Sequence, residues 1–314
     1  MSYQPAIPNQ QGIQIISNIS VESLVPYIDW RFFFMAWKLT GKYDGMDAVC
    51  DCQSCQVGWL HQFPEADRAK AKEALSLYKD ARQMLKDMVH QQAFSVKGVV
   101  GIFPAVSEKE GISFFYQDKK IVVATLRQQE FKKEGIYYSL SDFISPKNDY
   151  AGTFAVTVHG AEAMAKVFDK EDDTYNSILV KTLADRLAEA AAEWIHEKVR
   201  KEIWGYAKDE DISIEDMLKV RYSGIRPAVG YPSLPDQSII FDLQPILPFD
   251  TIGISLTENG AMFPNASVCG LLISHPKSQY FNIGKIDIEQ LGDYAKRRGK
   301  SPGEIKKWLA QNLS

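Results

Sequence analysis

Ile112-Ser-Phe-Phe-Tyr116, Gln117-Asp118-Lys119 and Lys120-Ile-Val-Val-Ala124 place two runs of β-branched and aromatic residues on either side of a polar turn. That is the pattern of a β-hairpin. Working outward, Gly98-Val-Val-Gly-Ile-Phe103 reads as a further strand, as do Val268 to Ile273 and Tyr280 to Ile288. Helical spacing fills the rest. From Glu65 to Gln92 the apolar residues Ala71, Leu75, Tyr78, Leu85, Met88 and Val89 recur amid Lys, Arg and Asp, which predicts an amphipathic helix. From Thr174 to Trp204, Leu179, Leu183, Leu187, Ala191, Ile195, Val199 and Ile203 stand four apart and predict the central helix of the core. Asp172 and Asp173 precede it, where the helix dipole favours negative charge. Ser213-Ile-Glu-Asp216 and Ser301-Pro-Gly-Glu304 read as capped helix starts. Strands cluster instead of alternating regularly with helices, so an α+β fold is expected: a single domain with a mainly antiparallel, twisted sheet flanked by helices. Folded patterning begins at Val21, so residues 1–20 are expected to be an N-terminal extension and residues 21–314 the domain.

The chain carries 36 Lys plus Arg against 40 Asp plus Glu, a formal charge of −4, with 45% hydrophobic and 24% charged residues. Such a balance suits a folded globular chain. Without a long basic run it argues against general nucleic-acid binding, which depends on cations clustered on phosphates. Met1 to Ser20 contains no Lys or Arg and no long apolar centre, so a signal peptide is not expected. Nor does any run approach the roughly 18 apolar residues of a membrane span. A cytoplasmic protein with no membrane or nucleic-acid partner is expected. G-x-G-x-x-G after a strand, G-x-x-x-x-G-K-[ST], H-E-x-x-H and G-x-S-x-G are all missing, which leaves the common nucleotide, zinc-protease and serine-hydrolase sites unsupported. The five histidines are scattered in sequence and read as surface or hydrogen-bonded core residues, with His196 on a helix face.

Two segments carry candidate chemistry. In Tyr27-Ile-Asp-Trp30, followed by Phe32-Phe-Phe-Met-Ala-Trp37, Asp29 is a lone acid in an aromatic run. In Gly224-Ile-Arg-Pro-Ala-Val-Gly-Tyr-Pro-Ser-Leu-Pro-Asp236, prolines fix the backbone around Arg226. Its planar fork suits a carboxylate, Gly230 would let a flat ligand approach the main chain, and Tyr231 can stack or hydrogen-bond. By local chemistry alone, a rigid turn tied down by an arginine salt bridge fits equally well. A third cluster, Cys50-Asp-Cys52-Gln-Ser-Cys55, supplies three thiols; a closed metal site would need a fourth ligand such as His61 or Cys269, and a loop of reduced thiols is the alternative.

Taken together, Tyr27-Ile-Asp-Trp30 with Phe33-Phe-Met-Ala-Trp37, Gly98-Val-Val-Gly-Ile-Phe-Pro104, Leu126-Arg-Gln-Gln129, Leu183-Ala-Asp-Arg-Leu-Ala-Glu-Ala190, His196-Glu to Trp204-Gly-Tyr206, the Arg226 loop, and Ser274-His-Pro with Ser278-Gln-Tyr280 span nearly the whole chain in order. In these stretches the sequence resembles the reactivation (activation) domain of cobalamin-dependent methionine synthase, which binds S-adenosylmethionine. The resemblance implies that Asp29 binds the amino group of the methionine moiety and Arg226 its carboxylate. It also implies that the main chain around Ala228, Gly230 and Tyr231 holds the rest of the ligand, with Tyr280 and Phe281 lining the same pocket. Glu189 is expected either to steady Arg226 from behind or to be an ordinary helix-face acid.

In the family's chemistry, cob(I)alamin occasionally oxidises to cob(II)alamin, and one electron from a flavodoxin-type donor coupled to methylation by S-adenosylmethionine restores methylcobalamin. The resemblance therefore implies binding and orientation of the methyl donor, with no catalytic residue of the chain's own. Met1 reads as a natural start, and no D-x-H-x-x-G cobalamin-binding element is present. Cobalamin is thus expected on a separate cobalamin-binding methyltransferase subunit, with a flavodoxin-type donor as second partner. A local basic patch for that donor is expected near Lys296-Arg-Arg298 and Lys306-Lys307. The rival expectation is a non-catalytic sensor or adaptor of the same fold that uses Cys50, Cys52 and Cys55 as a metal or redox site.

Overall fold

The computed structural model describes residues 4–90, 94–130 and 135–313. Residues 91 and 92 of the helix expected from Glu65 lie outside the described residues, as do residues 1–3 of the expected extension. The elements in the first half are β1 (Gly12–Ile19), α1 (Val21–Leu24), α2 (Trp30–Ala36), α3 (Gln53–Leu60), α4 (Glu65–His90), β2 (Ser95–Ser107), β3 (Gly111–Tyr116), β4 (Lys119–Ala124) and β5 (Asp149–His159). There follow α5 (Ala161–Lys170), α6 (Thr174–Lys198), α7 (Ile214–Leu218), α8 (Ile239–Leu243), β6 (Ser255–Leu256), β7 (Met262–Phe263), β8 (Ser267–Leu272), α9 (Ile288–Arg297) and α10 (Pro302–Trp308).

The large sheet runs β4-β3-β2-β5-β8, with every pair antiparallel. β2 is its spine. One edge of β2 pairs with β5 from Ser95 to Ala105, while the other is shared by β1, opposite Val96 to Ile102, and β3, opposite Ala105 to Ser107. Residues 12–19, expected to be an extension, are therefore a strand of the sheet. Gln-Ile-Ile-Ser-Asn-Ile is short and half polar, and it satisfies its backbone only by lying along a longer strand, so its own pattern did not announce it.

Both faces of the sheet are covered at its centre, so β2, β5 and β8 read as near-continuous apolar runs. Even-numbered Val96, Val100 and Ile102 of β2, with Phe154, Val156 and Val158 of β5, face a core shared with α2, α4 and α6. Odd-numbered Val99, Phe103, Ala151, Ala155, Cys269 and Leu271 face a second core with α8 and the 225–254 segment. The period of two persists although neither face is polar. On the first face lies α6, whose Leu179, Leu183, Leu187, Ala191 and Ile195 are each 0% exposed. Asp173 caps it, accepting from the Asn176 N–H at 3.0 Å, and a π-helical turn, Val199–Ile203, ends it.

The run Tyr280 to Ile288 departs from expectation: residues 280–285 form a loop, and Ile288 opens α9. Its backbone groups are taken by neighbours other than a strand. The Phe281 N–H donates to Ser233 Oγ at 3.0 Å, the Ile283 N–H to the Pro232 carbonyl at 2.9 Å, and the Lys285 N–H to Glu130 Oε1 at 2.8 Å. A third, smaller core cluster gathers Leu126, Ile283, Ile286, Leu291, Tyr294 and Leu309.

Candidate ligand-binding site

The segment after α7 lies along the outer edge of β8, and that placement builds the site. Ile225 and Ile273 exchange backbone hydrogen bonds at 2.9 and 3.0 Å, the Leu271 N–H donates to the Pro227 carbonyl at 3.0 Å, and the Val229 N–H to the Cys269 carbonyl at 3.0 Å. Pro227 has no N–H to contribute and uses only its carbonyl, which an edge position tolerates. Gly270 permits the approach. A Cβ there would meet the Pro227 carbonyl oxygen at 2.3 Å and Ala228 Cα at 2.8 Å.

Arg226 is held on this frame, its own N–H donating to Tyr280 Oη at 2.9 Å. The guanidinium reaches across to α6, where Nη2 and Nε donate to Glu193 Oε2 at 2.9 and 3.3 Å and Nη1 lies 3.9 Å from Glu189 Oε2. Burial opposes the charge, but Glu193, Tyr280, Tyr222 and Glu189 outweigh it and hold the guanidinium pKa above its usual value. Glu189 also accepts from the Tyr231 hydroxyl. It therefore steadies both residues of the loop, and Glu193 is the closer partner of Arg226. Glu193 carried no motif of its own; the available signal was its position one turn after Glu189, which puts both acids on one helix face.

Behind Glu193 lies fully buried Arg200, whose Nη1 is 4.0 Å from Glu193 Oε1 and whose Nη2 pairs with Glu210 at 2.8 Å. The guanidinium carbon of Arg200 sits 4.3 Å from the centre of the Tyr222 ring. His196 meets the same ring edge-on at 4.9 Å and has Tyr206 Oη 3.4 Å from Nε2. Of the surface and hydrogen-bonded core roles open to the histidines, His196 takes the second: its ring is on the buried stripe of α6 and 0% exposed. Burial, then Arg200 and Arg226, push its pKa well below 6.5. The unfolded chain binds this proton near 6.5 and the folded chain does not, so the stabilising effect is complete above that pH and is lost as pH falls through the depressed folded value. Thermal unfolding of His196→Gln followed against pH is expected to show a flatter decline below pH 6.5 than the parent protein; parallel declines would contradict a neutral buried ring.

Asp29 is the N-cap of α2. Oδ1 accepts from the Arg31 N–H at 3.0 Å, and the carboxylate pairs with the Arg31 guanidinium at 2.9 and 2.6 Å. The cap and the salt bridge are thus both present. Arg31 is 65% exposed at the side chain against 15% for Asp29, so the arginine can swing into solvent while the acid stays in place.

Six residues singled out from the sequence, Asp29, Arg226, Ala228, Tyr231, Tyr280 and Phe281, line one cavity of about 600 Å³, together with Glu189 and Glu193. Its size suits a nucleoside-bearing small molecule. Tyr27, Phe32, Arg186 and Tyr222 also line it and were not singled out. Phe281 packs its other side near Tyr138 and Phe143, with ring centres 5.9 and 6.4 Å away, so it serves core and cavity together. Gly230 does not line the cavity. Its φ of 84° and the Gln237 Oε1 that would lie 2.5 Å from a Cβ give glycine a conformational reason within the turn.

The cysteines form a separate group. Sγ atoms of Cys50, Cys52 and Cys55 lie within 4.8 Å of one another, and neither His61 nor Cys269 joins them. Hydrogen bonds from Cys50, then Ser54 and Cys55, bring the Cys52 thiol down to about 6. Cys269 is buried in β8, and burial pushes its thiol up to about 12.

Residues 20–299 match the family model described as vitamin B12 dependent methionine synthase, activation domain. The chain belongs to this family. The crystal structure of the MetH reactivation domain bound to AdoHcy is 40% identical, with a TM-score of 0.87 over 99% of this chain and 93% of that one. The α+β fold with its antiparallel sheet is the fold of that reactivation domain. In the present activation domain the expected basic patch is smaller than the sequence suggested. The Arg298 side chain is 2% exposed and tied to Asp236 and Asp242, and Arg297 pairs with Asp293 at 2.7 Å; Lys296, Lys306 and Lys307 stay exposed. Among the described residues no helix is long and apolar enough to cross a membrane.

Proposed function

We propose that the cavity binds S-adenosylmethionine and that the domain presents its methyl group for reductive remethylation of cob(II)alamin held by a separate corrinoid methyltransferase chain, most directly methionine synthase. The observation that carries this is a guanidinium, Arg226, and a carboxylate, Asp29, on the wall of one cavity whose remaining lining is largely aromatic and aliphatic. A zwitterionic amino acid needs one fixed cation and one fixed anion, and a sulfonium tolerates aromatic faces. AdoHcy, bound in the similar crystal structure, is the demethylated form of the same ligand.

Arg226 would exchange part of its contact with Glu193 for the ligand carboxylate, and Asp29 would trade Arg31 for the ligand ammonium. Tyr231 and Tyr280 are half-exposed over the cavity, fixed by Glu189 and by the Arg226 N–H, and fit a role in holding the adenosyl part. The sulfonium methyl is already electrophilic, and the methyl acceptor brings the nucleophile, so the domain contributes orientation and exclusion of water without an acid or base. His159, which precedes a glycine but lacks the rest of a D-x-H-x-x-G element, has Nε2 engaged with the Ile252 carbonyl at 2.8 Å. In this reading the acceptor is held outside the activation domain, and a flavodoxin-type donor supplies the electron, for which exposed Lys296, Lys306 and Lys307 offer a modest cationic surface. Free Cys50, Cys52, Cys55 and Cys269 fit a reducing cytoplasm.

Calorimetric titration tests the proposal. The wild-type chain is expected to bind S-adenosylmethionine and AdoHcy at one site. Asp29→Asn keeps an oxygen to cap α2 yet removes the charge that faces the ammonium, so affinity is expected to fall by roughly tenfold or more with little change in melting temperature. Absence of binding in the wild type, or equal binding by Asp29→Asn, would overturn it.

A further inference from the structure

We propose that Cys50, Cys52 and Cys55 form a tris-thiolate site for a single zinc ion, with its fourth position open to water or to a ligand from a partner. Nothing in this inference rests on the S-adenosylmethionine cavity. The three Sγ atoms all lie within 4.8 Å of one another, and tetrahedral zinc with Zn–S bonds of about 2.3 Å places its sulfurs about 3.8 Å apart. The triad is thus already close to the spacing that one ion requires. An iron–sulfur cube would spread the thiolates further, since each then sits on its own iron.

The backbone presents the sulfurs as a knuckle. Cys52 caps α3 and its Sγ accepts the Cys55 N–H at 3.3 Å, while the Cys50 thiol donates to Cys52 Sγ at 2.9 Å. A thiolate bound to a metal keeps the first of these and loses the second, because the proton leaves. On both sides the segment is pinned. Buried Trp59 donates to the Asp44 carbonyl at 3.0 Å, Gln56 Nε2 to the Asp51 carbonyl at 2.9 Å, and Lys79 of α4 pairs with Asp51 at 2.8 Å. The sulfurs themselves are exposed, so an ion reaches them without unfolding anything.

Thiolates select zinc over the harder divalent ions, and three of them leave a net charge of −1 at the site. Binding forms three Zn–S bonds and releases the protons the thiols still carried, with no change of oxidation state. The role that follows is a staple. Between residues 44 and 60 only Met46 and Trp59 are buried, which is little core for such an excursion, and an ion shared by Cys50, Cys52 and Cys55 would tie the loop ahead of α3 to the first turn of that helix.

The full chain, reduced and stripped of metal under anaerobic conditions, is to be titrated with zinc against a chromophoric chelator. One ion per chain is expected, with affinity reduced about a hundredfold or more in Cys52→Ser and unchanged in Cys269→Ser. Cobalt in place of zinc should give intense visible bands of tetrahedral symmetry and sulfur-to-metal charge transfer that weakens in Cys50→Ser, Cys52→Ser and Cys55→Ser. These serines replace exposed side chains, and the far-ultraviolet circular dichroism of each metal-free variant, expected to match metal-free wild type, reports that the fold is intact. Three results would overturn the proposal: zinc uptake no greater than that of the triple serine variant, a cobalt spectrum of octahedral oxygen ligation, or iron with sulfide lost on the same substitutions.

Discussion

Arg226→Ala is expected to lower affinity for S-adenosylmethionine by about a hundredfold or more, because two charge-assisted hydrogen bonds to the carboxylate vanish together. The same change has a second effect. Glu193, 7% exposed, would keep only Arg200 at 4.0 Å, so its carboxylate is left without a close counterion and stability falls by up to about 3 kcal/mol. The two effects can be separated. Arg226→Leu combined with Glu193→Gln removes the stranded charge, so melting temperature should recover while affinity stays low. Arg226→Lys keeps a point charge without the planar fork, and an intermediate loss near tenfold is expected. Calorimetry with matched thermal melts reads both quantities, and affinity of Arg226→Ala within twofold of wild type would refute the assigned role.

The second large effect is expected at a residue that touches no ligand. Gly270→Ala would drive a methyl group into the Pro227 carbonyl and the Ala228 Cα, both backbone atoms that cannot rotate away. The 225–229 segment must then lift from β8, breaking bonds such as Leu271 N–H to Pro227 and Val229 N–H to Cys269. A loss of about 3 kcal/mol is expected, visible as a fall of roughly 5 °C or more in melting temperature. Affinity for S-adenosylmethionine should drop with it, since Arg226 and Ala228 ride on that segment. Gly292→Ala, in α9 with nothing within 4 Å of the added carbon, is the control and should be neutral or slightly stabilising. If Gly270→Ala melts and binds as the parent does, the edge segment is not what positions the arginine.

What could be read from the chain was whatever repeats or punctuates. The four-residue spacing from Leu179 to Ile203 showed α6, and the polar turn between Tyr116 and Lys120 showed the β3–β4 hairpin, because each depends only on neighbours in sequence. Asp29 and Arg226 stood out as charges in apolar or rigid surroundings, and both line the cavity. Tyr280 to Ile288 misled because an alternating apolar pattern cannot say whether a ladder partner exists; here Ser233, Pro232 and Glu130 take the backbone groups instead. Arg298 looked like surface charge, but its carboxylate partners, Asp236 and Asp242, lie about sixty residues away. Long-range pairs of this kind leave no trace in local pattern, and the same applies to Glu193 until Arg226 is placed beside it.

β1 bears on where one module stops and the next starts. The family match opens at residue 20, yet the sheet takes in the chain from Gly12, and without that strand Val96 to Ile102 of β2 would present unpaired amides and carbonyls along their outer edge. The folding unit therefore reaches one strand further than the family model does. A cut made at residue 20 would produce a sticky sheet in place of a finished one, and the boundary of the folding unit is to be sought ahead of Gly12.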